Sequence, residues 1–201
     1  MESGEGTAST SGSVKIVSAN SGANGASGML VFSSGTSTSG NSGLIMIGSG
    51  AASKGRGGSI ALTVGSGTSG AGGYLRLEAG RSTVYTGGAV TMESGEGSAT
   101  TSGMISLRSL NAGTNGASGK LVFSSGTTSK GNSGAIYVGT GVGTSGKGGA
   151  ISVTVGSGDS GIGGYLRLEA GRSAAVTGGA VTMESGEGSA TTSGMISLRS
   201  L

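Results

Sequence analysis

Two pairs of glutamates, Glu93/Glu96 and Glu184/Glu187, are the residues whose type and spacing come nearest to chemistry in this chain. Glycoside hydrolysis needs two facing carboxylates, one to protonate the leaving oxygen and one to attack or to activate water. The surroundings argue against that role. Histidine and cysteine are both absent, which removes the commonest general base and the thiol nucleophile. The ESGEG stretch that holds each pair also recurs 91 residues apart. A motif copied with a repeat reads as solvated turn charge rather than as a catalytic dyad.

Other candidate chemistry fails on similar grounds. GSGTSG (65–70) and GSGDSG (156–161) fit the G-x-G-x-x-G phosphate cradle, but both precede the apolar stretch YLRL. The nucleotide motif requires a helix to follow, whose N-terminus receives the phosphate. Glycine is 48 of 201 residues, so chance matches are expected. Calcium-binding solenoids carry an aspartate in each turn, and Asp159 is the sole aspartate here. Without cysteine there is neither a disulfide nor a thiolate metal site. The sequence therefore assigns no catalytic, cofactor-binding or metal-binding residue, and a non-enzyme without cofactors is expected.

Composition narrows the partners. Twelve basic and nine acidic residues give a net charge of +3, and the basic ones are scattered from Lys15 to Arg199. Nucleic-acid binding requires a basic patch, with aromatic stacking platforms for single strands; neither is present. No apolar run is long enough for a membrane helix. The start, MESGEGTAST, is polar and acidic, unlike a signal peptide.

The elements that would position any site follow a ruler. Units of 15 residues succeed one another at 35–49, 50–64, 65–79, 80–94 and 95–109, followed by a 16-residue unit, 110–125. Five 15-residue units and one of 16 make a 91-residue block, and YLRLEAGRS accordingly occurs at 74–82 and again at 165–173. A fixed period of this kind marks a repeat architecture. Each unit holds an apolar pair at i, i+2: Val14/Ile16, Leu30/Phe32, Ile45/Ile47, Ile60/Leu62, Leu75/Leu77, Val90/Met92 and Ile105/Leu107. The second block repeats the pattern from Leu121/Phe123 to Ile196/Leu198. That spacing puts both side chains on one face of a strand. The residue between them ranges from Lys15 to Val31, Met46 and Arg76, so the other face must tolerate water. Gly43, Gly58, Gly73, Gly88 and Gly103 precede these stretches, and after each stretch the chain is expected to turn at another glycine, such as Gly35, Gly50, Gly65, Gly80 and Gly95. Glycine there would permit positive φ or close backbone approach.

The expected fold is all-β: a repeat β-solenoid of stacked parallel strands with 15-residue strand units and a 91-residue supra-repeat. An antiparallel β-meander or barrel is the alternative. It would favour Asn-Gly or Asp-Gly at the turns, whereas the midpoints read Thr38-Ser39, Ser53-Lys54, Thr83-Val84 and Ser98-Ala99. Asn24-Gly25 and Asn115-Gly116 occur only in the 16-residue units. One rung is either 15 or 91 residues; the wide coil would set Arg76 over Arg167 and Glu78 over Glu169. The organisation expected is a partial block at 1–18, full blocks at 19–109 and 110–200, and one continuous solenoid. Met1 aligns with Met92 and Met183, so the chain reads as a segment of a longer tandem array.

Stretches such as SGKLVFSSGTTSKGNSGAIYVGTG (118–141) and GGYLRLEAGRS resemble the Gly/Ser-rich tandem-repeat surface proteins of algae and other protists. The resemblance implies an extended, extracellular or cell-surface, fibrous role and transfers no functional residue. The expected function is a non-enzymatic structural repeat protein forming an elongated rod or tube within a filament, fibre or coat, with copies of itself as partner. The alternative is an ice- or polysaccharide-binding solenoid. Against ice binding, the outward positions carry no Thr-x-Thr ladder; Tyr74, Tyr85, Tyr137 and Tyr165 could stack on sugars.

Overall fold

The computed structural model of the protein describes residues 2–5 and 10–200. Among these residues the backbone bends once per unit, at 38–40, 53–55, 68–70, 83–85 and 98–100, then at 129–131, 144–146, 159–161, 174–176 and 189–191. The two 16-residue units turn at 23–25 and 114–116. The bends therefore keep the 15-residue period, and each recurs 91 residues later. They fall on the Ser/Thr-rich midpoints, although these are poor two-residue hairpin turns.

Local hydrogen bonds explain why those midpoints bend. Serine and threonine hydroxyls offer the backbone a partner within a few residues, which competes with extended pairing. The Ser82 hydroxyl accepts from the Val84 and Tyr85 amides at 3.4 and 2.9 Å. Ser173, its counterpart in the second block, accepts from Ala175 and Val176 at 3.3 and 3.1 Å. Ser37 accepts from the Gly40 amide at 3.0 Å. In the first 16-residue unit the Gly25 amide donates to the Gly22 carbonyl at 3.3 Å, closing a β-turn over Asn24.

Beyond each bend the chain doubles back, so that residues eight to ten apart meet at the neck of an arch. Glycine amides donate across the neck to glycine carbonyls: Gly58 to Gly50 at 3.1 Å, Gly88 to Gly80 at 2.8 Å, Gly103 to Gly95 at 2.9 Å, Gly179 to Gly171 at 2.9 Å and Gly194 to Gly186 at 2.8 Å. Side chains brace some necks. The Ser49 hydroxyl donates to the Gly58 carbonyl at 2.9 Å, and Thr140 does the same for Gly149 at 3.3 Å. Ser49→Ala should weaken its arch by no more than about 1 kcal/mol, since an exposed hydrogen bond contributes at the low end of the usual range. The check is the temperature coefficient of the Gly58 amide by NMR, expected to move toward the value of a solvent-exposed amide.

The neck also accounts for the glycine before each apolar stretch. A Cβ built on Gly58 would lie 2.9 Å from Ser49 Cβ, one on Gly73 2.6 Å from Val64 Cγ1, and one on Gly164 2.5 Å from Val155 Cγ1. By contrast, a Cβ on Gly35, Gly50, Gly65, Gly80 or Gly95 meets nothing within 4 Å. No glycine among the described residues has positive φ. At the glycines expected to turn, neither positive φ nor close approach is found, and the bends fall three residues further on; close approach occurs instead at several glycines before the apolar stretches.

The all-β expectation is overturned. There is no strand and no helix among the described residues, so neither the parallel β-solenoid nor the antiparallel meander or barrel describes the chain. The backbone bonding explains the difference. Each neck carries at most one backbone hydrogen bond, and the apolar stretches make none to one another among the described residues. Extending the pairing would require choosing a partner, and Gly-rich units that share one apolar pattern offer several similar registers. Ordering glycine also costs more backbone entropy than ordering any other residue. The arches need only contacts within about ten residues and so form without that choice. The chain divides into two units, Met1–Gly103 and Met104–Leu201, each a succession of such arches.

Candidate functional surface

No described residue is buried, whether apolar or polar. The apolar pairs lie on the outside. The first member of each is about half exposed, from 46% for Ile196 to 58% for Val90. The residues between the pairs are more open still, with Met46 at 82% and Tyr137 at 94%. The second members run from 51% for Ile16 to 84% for Leu198, overlapping the residues between the pairs, so only the first member of each pair is partly shielded, without a second layer among the described residues to cover the pairs.

The sites weighed from sequence do not assemble. Glu93, Glu96, Glu184 and Glu187 are exposed, and no group of three or more acidic side chains among the described residues could hold a metal ion. The G-x-G-x-x-G segments bend at 68–70 and 159–161 and lead into no helix. Asp159 lies in the second of these bends. Tyr74, Tyr85, Tyr137 and Tyr165 are separately exposed, each at 86% or more. The flat solenoid face weighed for ice binding is not formed among the described residues, which contain no strand. A surface hollow of about 400 Å³ is lined by Arg108, Ser109, Leu110 and Asn111. Four consecutive residues make a dent along one segment, without the converging polar groups of a ligand site. No helix of the described residues is long and apolar enough to cross a membrane.

Ion pairs form within single segments: Arg76 with Glu78, and Arg167 with Glu169. A 91-residue coil would set Arg76 over Arg167, an unfavourable like-charge contact; each arginine has its acidic partner two residues away in its own segment. All four side chains are well over half exposed, and such pairs contribute little. Arg76→Gln with Arg167→Gln should leave the Gly88 and Gly179 amide temperature coefficients unchanged, in low salt and in high salt alike.

Sequence reasoning missed the residues that shape the arches, above all Ser82, Ser173, Ser49 and Thr140. A serine directly ahead of a bend, within reach of the amides two and three residues on, was a readable signal for the first two. The cross-neck bonds of Ser49 and Thr140 had none. What the arrangement offers chemically is a series of half-exposed apolar pairs on a polar, weakly charged backbone. No known protein family, curated protein or solved structure matches the chain.

Proposed function

We propose that the protein is a non-enzymatic structural repeat protein that works by self-assembly, as a component of an extracellular or cell-surface fibre or coat. The observation that carries this reading is the exposure of the apolar pair in every described unit. Exposed apolar surface that recurs at a fixed spacing marks an interaction surface, and a second copy presents the same pairs at the same spacing. Isolated units cannot bury their apolar face alone, so repeats depend on neighbours for a core. The chain's near-neutral charge permits close approach between copies, because net charge far from zero is what keeps proteins apart. Placement outside the cell is supported by the resemblance of repeat style.

The test is sedimentation velocity across a wide concentration range, with electron microscopy of the same samples. Assembly that grows with concentration into filaments or sheets is the expected result. A chain that stays monomeric at every concentration would sink the proposal.

A further inference from the structure

We infer that Asn24 and Asn115 are sites of spontaneous covalent modification, one in each 91-residue block, where the side-chain amide is lost to give aspartate or isoaspartate. The inference stands apart from the assembly proposal. The chain has six asparagines: Asn24 and Asn115 precede glycine, Asn20, Asn41 and Asn132 precede serine, and Asn111 precedes alanine. The reaction requires the backbone nitrogen of the following residue to reach the asparagine Cγ. A side chain on that following residue obstructs the approach, and glycine has none.

The structure sets both Asn-Gly pairs where the attack is open. They occupy the turns at 23–25 and 114–116, and all of these residues are exposed. The space around each glycine is uncrowded: a Cβ added to Gly25 would be 3.5 Å from Ser21 Cβ, and one added to Gly116 3.7 Å from Ala112 Cβ. The Gly25 amide is engaged only by the 3.3 Å bond to Gly22, at the long edge of hydrogen-bond geometry. Neither nitrogen is held in a ladder that would have to break first.

The step balances as follows. The glycine nitrogen attacks Cγ, a C–N bond forms, and the C–NH2 bond breaks. Ammonia leaves, carrying the proton that the glycine nitrogen gives up, and a cyclic imide remains. Water then adds to either imide carbonyl and opens the ring. One direction yields aspartate. The other yields isoaspartate, in which the main chain runs through the side-chain carbon and gains one backbone atom. Each event subtracts one charge from the +3 of the chain. It falls in the 16-residue units, whose additional residue distinguishes them from the rest of the block.

The experiment is incubation of the full chain in warm, mildly alkaline buffer, followed by peptide mapping with mass spectrometry and an isoaspartate assay. Asn24 and Asn115 should convert at least several-fold faster than Asn20, Asn41, Asn111 and Asn132, with isoaspartate among the products. Gly116→Ala should slow conversion at Asn115 several-fold and leave Asn24 unchanged. Conversion no faster than at the Asn-Ser positions would overturn the inference. So would a Gly116→Ala chain that reacts at Asn115 as fast as before, since that outcome means direct hydrolysis without the imide.

Discussion

Replacing Leu75, Leu77, Leu166 and Leu168 together with serine is expected to raise the concentration at which the chain assembles by about two to three orders of magnitude. The four leucines are 57%, 64%, 56% and 70% exposed, so more than half of each remains to be covered by another copy. Full burial of a leucine contributes roughly 1.5–3 kcal/mol, and covering the exposed part therefore about 1 kcal/mol or more apiece. Four such losses come to about 4 kcal/mol, close to a thousandfold in an association constant. The control is Val84→Ser with Val176→Ser. These valines are each 79% exposed but sit in the bends, outside the apolar pairs. Because they lie outside the pairs that assembly would cover, their loss should leave the midpoint nearly unchanged. Sedimentation midpoints decide between the alternatives. An unchanged midpoint for the leucine variant, or an equal shift for the valine variant, would mean that assembly does not run through the apolar pairs.

Gly97→Ala with Gly188→Ala should abolish the arches at 95–103 and 186–194, whereas Gly95→Ala with Gly186→Ala should leave both intact. A Cβ on Gly97 would lie 2.5 Å from the Thr101 carbonyl oxygen and 2.8 Å from its carbon; Gly188 stands in the same relation to Thr192. The obstacle is backbone, so no side-chain rotation relieves it. Forcing extra volume into such contacts costs typically about 1–3 kcal/mol. Each arch is held by one backbone bond, Gly103 to Gly95 at 2.9 Å or Gly194 to Gly186 at 2.8 Å. A serine contact at 3.3 Å adds to it, from the Gly97 or Gly188 amide to Ser102 or Ser193. Exposed bonds contribute at the low end of about 0.5–1.5 kcal/mol each, so the two together come to about 1 kcal/mol and the clash outweighs them. At Gly95 and Gly186 the added methyl meets open space and φ is negative, so alanine should be neutral or stabilise by about 0.4–1 kcal/mol through the unfolded chain. Amide temperature coefficients of Gly103 and Gly194 give the readout. Equal behaviour of the two variants would show that the necks do not close as described.

The two glycine positions in ESGEG mark the limit of what patterning reveals. Both are glycine in both blocks and look alike in the sequence, yet only the second has a backbone carbonyl where a Cβ would go. The glutamates around them, Glu93 and Glu96, are exposed and lie ahead of the bend at 98–100, and the motif's structural weight rests on Gly97. Similarly, the glycine before each apolar stretch was evident from the repeat, but the reason for it was not. That reason is the side chain nine or ten residues earlier, Ser49 for Gly58 and Ser18 for Gly28 at 3.2 Å, which sequence order alone does not place there.

The sequence by itself determined the period, the 91-residue block and the hydroxyls that bend the chain locally. These depend on residue type and on neighbours close along the chain. A hydroxyl such as that of Ser82 reaches the amides two and three residues on whatever the rest of the chain does. Tertiary structure alone decided whether the apolar stretches would pair. The i, i+2 pattern of Leu75/Leu77 is necessary for a half-buried strand but does not select its partner, because every other unit carries the same pattern. With the registers similar and glycine costly to order, the arches close while the stretches between them stay unpaired. The apolar pairs that would have formed a core inside one chain are left facing outward.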